Sequence, residues 1–309
     1  MIPCILFEDE HLLVVNKPCG LNTHAPSPYA SEGLYEWLRH REPRWSRLAI
    51  IHRLDKETSG VLVFSLSERA NRELTRQFAT RKVEKTYLLL TDREFASRSF
   101  LARGELVRAG ERYVDRPGAK GALPAETRFQ RVEVNGGVDS PGMKLPQISA
   151  GGVHLWKAQP LTGRTHQIRV QAAEHGLPIL GDSLYGGTAA ARLCLHAAEI
   201  AFRHPYSGAP VVFRAPADFE ADARRALRSA VIEPDLTSAF RLVHGASDGQ
   251  RGKYVDKLGD YLLLQTEKPV GAAERAEVEP LLKSGVARGA YHKMLTRHVR
   301  GVATASSSP

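Results

Sequence analysis

The sequence predicts an α+β fold in which most of the strands pair antiparallel and a few helices flank the sheet. Short runs of β-branched and apolar residues, separated by turn residues, recur through the first ~220 positions. Only a few segments show the period of an amphipathic helix. A second β-type unit follows at residues 236–270, so we expect a small β-rich appendage towards the C-terminus.

The first elements are predicted as a strand followed by a capped helix. Residues 12–15 form an apolar strand that ends before a proline. Ser67 is expected to cap a helix whose apolar residues recur every four positions. The same pattern leaves Arg69, Arg72 and Arg76 on the outward face of that helix.

The rest of the main domain is predicted to be strand-rich, with one more helix. Residues 83–90 form a β-type segment, whereas residues 92–150 consist of strands and loops without clear boundaries. Thr165 is expected to cap a helix that runs to about His175 and ends at a glycine. Residues 204–208 are predicted to form a hairpin turn between two β-type runs.

Composition shifts divide the chain into four parts. We expect a main domain at residues 1–222, a polar connector at 223–235, a small β-rich segment at 236–302 and a disordered tail at 303–309.

The composition indicates a cytoplasmic protein with a polyanionic partner. The chain has 43 Lys and Arg residues against 34 Asp and Glu residues, a net charge of +9. Its three cysteines lack C-x-x-C spacing, which argues against disulfides and a structural zinc site. The N-terminus has no signal-peptide pattern, and no apolar run approaches the ~20 residues of a membrane span.

The most informative segment is residues 51–60, IHRLDKETSG, which places Asp55 between Arg53 and Lys56. The apolar residues 61–64 follow as a buried strand. Because nearby positive charge favours an ionised carboxylate, we expect Asp55 to be available as a nucleophile or base. For an arbitrary aspartate, an exposed ion pair with Arg53 in a turn would be the commoner interpretation.

These ten residues resemble the catalytic motif of the RluA-type RNA pseudouridine synthases. Three further segments resemble motifs of that family in the same order, namely residues 7–21, 82–87 and 163–170. The resemblance spans about residues 5–220. It implies the pseudouridine synthase fold, with the catalytic domain at residues 1–222 and a uridine of ribosomal or transfer RNA as the substrate.

The resemblance also implies roles for three catalytic residues. Asp55 would attack the target uridine, Tyr87 would stack on its base, and Arg169 would pair with Asp55. A tyrosine on a strand is more often a core residue, and an arginine on a helix is more often solvated. The two assignments therefore rest on the motif match.

Four further residues are expected to contact RNA. Arg53 occupies the family position that enters the space left by the flipped base. Ile168 would form an apolar wall, and Arg164 lies in the same motif. Lys17 belongs to a Lys-Pro-x-Gly turn that supports the catalytic loop, and we also place it among the RNA-binding residues.

The implied reaction uses no cofactor, and the twelve histidines show no metal-ligand spacing, so we expect no metal. His52 and His166 are interpreted as packing or hydrogen-bonding residues. We expect a monomer. The competing hypothesis is an RNA-binding protein with a retired active site, which the presence of Asp55, Tyr87 and Arg169 disfavours.

Residues 238–265 resemble a different protein class, the lead-in region of RlmI-type rRNA methyltransferases. In that family the segment precedes the S-adenosylmethionine domain, but here no strand–Gly-x-Gly–helix signature follows it. A fusion or truncated chain and a simple β-hairpin appendage both remain open. We expect no S-adenosylmethionine binding.

Overall fold

The computed structural model describes residues 2–27, 33–133, 152–220, 222–233 and 235–295. The chain folds as two compact units, Met1–Val231 and Ile232–Pro309. The domain boundaries expected from the sequence stay predictions, and the expected tail at 303–309 lies outside the described residues.

Unit 1 is built on eleven strands that form one sheet. The strands are β1 Ile5–Glu8, β2 Leu12–Lys17, β3 Ala49–Ile50, β4 Ser59–Ser65, β5 Glu84–Thr91, β6 Ser99–Ala109, β7 Arg112–Asp115, β8 Leu123–Val132, β9 His154–Pro160, β10 Leu195–Arg203 and β11 Pro210–Arg214. In the described part of this unit, four α-helices accompany them: α1 Leu34–Arg41, α2 Glu68–Ala79, α3 Gln167–Glu174 and α4 Ala223–Val231.

The sheet order is β1-β2-β4-β10-β5-β9-β8-β6-β7, with β3 beside β4 and β11 beside β10. All pairs are antiparallel except β4 with β10. The predicted mixed, mostly antiparallel sheet with flanking helices is therefore confirmed. The predicted turn at residues 204–208 is confirmed as the β10–β11 hairpin.

The parallel pair of this sheet, β4 with β10, brings together segments that are far apart in the sequence. Ser59 pairs with His196 and Gly60 with Ala197. Gly60 has φ +118°, and a Cβ there would lie 2.2 Å from the Ala197 carbonyl oxygen. Only glycine tolerates both conditions, so Gly60 permits the close approach of the two strands that lie beneath the Asp55 loop.

Packing on both faces of the sheet stabilises unit 1. One apolar cluster centres on Trp156 and Phe129, and another on Trp45 and Phe64, all fully buried. Helix α2 begins as predicted, because the Ser67 hydroxyl accepts the Ala70 N–H at 3.3 Å.

The expected cap of the next helix is wrong. Helix α3 starts after His166, which has the left-handed φ of +56° and makes no side-chain cap, so Thr165 is not the N-cap. The helix ends as predicted, with His175 as the C-cap and Gly176 at φ +76°.

Unit 2 is a separate four-stranded sheet ordered β12 Ala239–His244, β13 Lys253–Leu258, β14 Tyr261–Thr266 and β15 Gly289–Met294. Helix α5, Ala272–Lys283, connects β14 to the parallel strand β15. Val255, Leu262 and Leu264 form its small core. The predicted β-rich C-terminal appendage is therefore confirmed. No helix in the described part of either unit has the length and apolar character that a membrane crossing needs.

Candidate active site

A cavity of about 800 Å³ lies in unit 1 where the β3–β4 loop faces β5 and the start of α3. Asp55, Tyr87 and Arg169 all line it, although they are distant in sequence. The cavity wall also contains three of the four expected RNA-binding residues: Arg53, Arg164 and Ile168. The structure thus brings together six of the seven residues singled out in the sequence.

The seventh residue, Lys17, lies beneath the Asp55 loop and is fully buried. Its ammonium group donates to the carbonyl oxygens of Leu21 at 2.7 Å, Pro18 at 3.0 Å and Lys56 at 3.1 Å. Burial lowers the pKa of Lys17 to about 7, while the charges of Cys19, Asp55 and Glu57 oppose that shift.

This geometry argues against the placement of Lys17 among the RNA-binding residues, a call that stays a prediction. A side chain with no exposed surface and three main-chain acceptors has no donor left for a phosphate. These hydrogen bonds connect the Lys-Pro-x-Gly turn to the loop that carries Asp55.

A second clamp fixes the other side of the loop. The Thr23 hydroxyl donates to the Leu54 carbonyl oxygen at 2.9 Å and accepts the Leu54 N–H at 3.1 Å. The Thr58 N–H closes the turn on the Asp55 carbonyl oxygen at 3.1 Å. With main-chain bonds on both sides, Asp55 is presented to the cavity from a rigid loop.

Strand β5 supplies Tyr87, which pairs with Ala197 on one side and Ala158 on the other. Burial raises the pKa of the Tyr87 phenol, and the charge of Asp55 adds to that shift, so the hydroxyl is neutral. Lys85 lies two residues earlier on the same face and also lines the cavity. Burial lowers the pKa of Lys85.

Helix α3 is anchored to the sheet by buried amides. The Gln167 side chain donates to Thr127 Oγ1 at 2.8 Å and to the Glu126 carbonyl oxygen at 3.0 Å. One turn later, Gln171 accepts from Thr127 Oγ1 at 2.6 Å. These bonds lie on either side of Arg169 along the helix and fix the position from which its side chain extends.

Arg169 itself is held by a carboxylate that the sequence analysis did not single out. Its Nε and Nη2 atoms donate to the two carboxylate oxygens of Asp182, each at 2.7 Å, and its guanidinium lies 5.0 Å from the Tyr185 ring centroid. Burial opposes the charge of Arg169, but the bonds to Asp182 and the charges of Asp182 and Asp55 raise its pKa above the ordinary value.

The expected partnership of Arg169 with Asp55 stays a prediction. Among the described residues, the carboxylate that hydrogen-bonds Arg169 is that of Asp182, whereas Asp55 acts on Arg169 through its charge. The glycine before Asp182 has φ +76° and a Cβ there would overlap the Arg192 carbonyl oxygen, so the turn at Gly181 is sterically fixed. That Gly-Asp turn was the signal in the sequence.

His166 connects Asp55 to a second tyrosine. Its Nε2 lies 4.0 Å from Asp55 Oδ2, and its Nδ1 lies 2.8 Å from the Tyr185 hydroxyl oxygen. The same Tyr185 oxygen accepts the Tyr113 N–H at 2.9 Å, so His166 and Tyr113 are joined through this hydroxyl. Burial lowers the pKa of His166, with Arg169 adding to the shift and Asp55 opposing it.

The family model for RNA pseudouridylate synthases matches residues 11–174, more than half of the chain. The chain belongs to the RNA pseudouridylate synthase family. The resemblance to RluA-type pseudouridine synthases is therefore confirmed as far as family membership is concerned.

Curated relatives of the pseudouridylate synthase family carry related names. The ribosomal large subunit pseudouridine synthase C of Yersinia pestis is 38% identical over 228 residues, and that of Escherichia coli K12 is 36% identical over 225 residues. The matches cover 70% and 69% of this chain. The chain spans 66% of the length of each of these relatives, just under two thirds.

Two solved structures show the same fold. Human RNA Pseudouridylate Synthase Domain Containing 1 superposes with a TM-score of 0.55 at 25% identity, covering 69% of this chain and 82% of that one. Human RNA Pseudouridylate Synthase Domain Containing 4 superposes with a TM-score of 0.52 at 24% identity, covering 69% of this chain and 88% of that one. The predicted pseudouridine synthase fold is confirmed.

His52 is a further polar side chain that lines this synthase-family pocket. His52 accepts the Val63 N–H at 3.1 Å and stacks on Phe78, with ring centroids 4.9 Å apart. Burial lowers the pKa of His52 to about 3, so it packs as a neutral ring, as the sequence analysis expected. In the described residues, no group of three His, Cys, Asp or Glu side chains is placed to hold a metal ion.

Proposed function

We propose that this chain is an RNA pseudouridine synthase that converts a uridine of ribosomal RNA to pseudouridine, with Asp55 as its nucleophile. The observation that carries the proposal is the convergence of Asp55, Tyr87 and Arg169 on one cavity of about 800 Å³. That volume admits a nucleoside removed from its stack, within the ordinary range of ligand pockets.

The reaction requires one carboxylate and no redox step. The bond from ribose C1′ to base N1 breaks, the uracil turns, and a new bond joins C1′ to C5. C5 then loses its proton and N1 takes one up, so the product is an isomer of uridine. Asp55 can attack the nucleoside covalently or remove a proton from the ribose to give a glycal. Both routes use the same carboxylate on the same loop.

Tyr87 would act on the uracil base, whereas Arg169 would act on the Asp55 carboxylate. The neutral ring of Tyr87 provides a stacking face for uracil, a contact that suits any pyrimidine. Arg169, oriented by Asp182, provides a fixed positive charge close to Asp55. We propose that its remaining donors face Asp55 or the substrate when RNA is bound.

The other expected RNA contacts surround this centre. Arg53 is exposed at the cavity, which suits the proposal that it enters the space vacated by the flipped base. Arg164 donates to the Pro124 carbonyl oxygen at 3.1 Å and keeps other donors for phosphate. Ile168 contributes the apolar wall.

Ribosomal RNA is favoured over transfer RNA because the relatives described above are named as large-subunit enzymes. Since this chain spans just under two thirds of their length, the substrate of the whole relative is carried over here only as a proposal. We also propose that the protein is cytoplasmic and monomeric. Light scattering of the purified chain would check the monomeric state.

The test is pseudouridine mapping of total RNA from cells with and without the gene, complemented by wild type, Asp55→Asn or Glu57→Gln. Glu57 is an exposed carboxylate of the same loop that does not line the cavity, so Glu57→Gln is a matched control. We expect a site that disappears on deletion and returns with wild type and Glu57→Gln but not with Asp55→Asn. Restoration by Asp55→Asn would overturn the mechanism.

For unit 2 we propose kinship with the lead-in region of RlmI-type methyltransferases at residues 238–265. Its support is a sheet and a core of its own within Ile232–Pro309. Calorimetry with S-adenosylmethionine should show no binding. Measurable binding would favour a methyltransferase-related function for this unit.

A further inference from the structure

A second groove in unit 1, of about 570 Å³, is lined mainly by basic and aromatic residues. It lies between helix α2 and the β10–β11 hairpin. Its side chains include four arginines and one exposed tyrosine: Arg69, Arg72, Arg76, Arg203 and Tyr206. We call these five residues the arginine cluster.

The cluster has a net positive charge and is open to solvent. All four arginines are exposed, and among the described residues Glu73 is the one carboxylate that lines the groove. Glu73 bonds Arg76 at 2.6 and 2.9 Å. Arg69 lies over the Tyr206 ring at 4.6 Å, a contact that leaves the edges of its guanidinium free to donate.

The two sides of the groove are held together by a buried amide. The Gln77 side chain, 2% exposed, donates to the Arg203 carbonyl oxygen at 2.8 Å and accepts the Arg203 N–H at 3.0 Å. The hairpin is fixed further by His204, which contacts Asp9 at 2.9 Å, and by the stacking of Tyr206 on His11 at 4.6 Å. The arginines are therefore displayed from a rigid frame.

The same helix joins the cluster to the candidate active site. Phe78, near the end of α2, lines the large cavity, whereas Arg69, Arg72 and Arg76 lie on its outward face. At 1.5 Å per residue the arginines lie roughly 3 to 13 Å from Phe78 along the helix axis. The cluster and the cavity thus lie on different faces of one helix, and an RNA segment that continues from a uridine in the cavity would pass around α2 to reach the groove.

We propose that the arginine cluster binds the phosphodiester backbone of the RNA that flanks the target uridine. The inference rests on the proposed function and adds to it a second, sequence-independent contact surface. The planar guanidinium of arginine can donate two parallel hydrogen bonds to a phosphate group. Contacts to phosphates position a nucleic acid independently of its base sequence. The cluster thus sets the register in which RNA lies across the cavity.

The test compares two double variants that remove the same charge. Arg69→Gln/Arg72→Gln alters the cluster at exposed helix positions, where glutamine preserves helix propensity. Arg108→Gln/Arg128→Gln is the control, because both residues are exposed on β6 and β8 and line neither cavity. Binding to transcribed, unmodified large-subunit ribosomal RNA is measured between 50 and 300 mM salt, with thermal unfolding to verify the fold.

Each phosphate contact contributes about 0.7–0.9 to the slope of log affinity against log salt. The cluster variant should lose about 1.4–1.8 from that slope and bind about 15- to 30-fold more weakly at 0.15 M salt. The control should stay within about twofold of wild type. The control variant should also form pseudouridine at the wild-type single-turnover rate, because Arg108 and Arg128 line neither cavity.

Equal slopes for the two double variants would overturn the proposal and assign the cluster to an acidic protein surface instead. The readouts separate this failure from that of the proposed function. If wild type forms no pseudouridine but the cluster variant alone loses affinity, the contact surface stands and the activity fails. If wild type is active and both variants bind alike, the activity stands and the inference fails.

Discussion

Arg169 and Asp182 form a two-bond ion pair, 2.7 Å at each contact, with 9% and 0% of their side chains exposed. The arginine of the pocket is therefore oriented by a residue from the following loop. A buried guanidinium is costly unless a carboxylate pairs with it. The ion pair with Asp182 therefore allows a positive charge to be placed near Asp55.

Removing the carboxylate should destabilise the fold as well as the site. Asp182→Ala leaves Arg169 buried without its partner and frees the main-chain N–H groups of Leu184 and Tyr185. We expect the free energy of unfolding to fall by about 3–5 kcal/mol. Urea unfolding measures it. Glu199→Ala, which removes the partner of exposed Arg214, is the control and should cost at most about 1 kcal/mol.

Lys17→Met tests whether this lysine supports the loop or contacts RNA. The substitution preserves the volume of the buried stem but removes donors to three carbonyl oxygens. We expect a loss of about 2–5 kcal/mol in unfolding free energy and a slower single-turnover reaction. The salt slope of RNA binding should equal that of wild type. A slope reduced by about one would restore Lys17 as a phosphate contact.

The buried position of Lys17 shows which features motif matching predicts and which it does not. Local patterns predicted the strand at residues 12–15, the cap at Ser67 and the Asp55 loop. They did not predict that Lys17 turns inward, because its acceptors include the carbonyl of Lys56, 39 residues later. Likewise, Asp182 becomes the partner of Arg169 only when a turn outside helix α3 folds back against it.

Two substitutions of Tyr87, on strand β5, test whether its ring stacks on the target base. Tyr87→Phe keeps the ring and loses a neutral hydroxyl, so RNA affinity should stay within about twofold of wild type. Tyr87→Leu removes the ring and should lose about 1–3 kcal/mol of affinity for RNA. Fluorescence anisotropy on an Asp55→Ala background measures both without turnover. Equal losses in the two variants would assign the effect to the hydroxyl.

His196 should make the fold acid-sensitive. Burial lowers its pKa to about 4, with Arg192 adding to the shift, and both ring nitrogens are used, on Ser59 Oγ at 2.7 Å and the Ala215 carbonyl oxygen at 3.1 Å. Between pH 6.5 and 4 the unfolded chain binds a proton that the folded chain excludes. Stability due to this group is therefore complete above pH 6.5 and falls as the pH drops.

We expect wild type to lose about 2 kcal/mol more than His196→Gln between pH 6.5 and 4.5. Urea titrations at the two pH values measure the difference. If the variant is too unstable to compare, the imidazole resonances of His196 in wild type should not titrate between pH 7 and 5. A midpoint near pH 6.5 would contradict the buried neutral ring.

The parallel pairing of β4 with β10 also governs when the pocket comes into existence. Ser59 and His196 meet across 137 residues, and the cavity wall is completed only by Leu195. At 5–20 residues per second of synthesis, roughly 7 to 27 s separate the emergence of the two strands from the ribosome. During synthesis, the Asp55 loop is therefore made many seconds before the residues that complete the cavity. Assembly of the site is one of the last steps in the folding of unit 1.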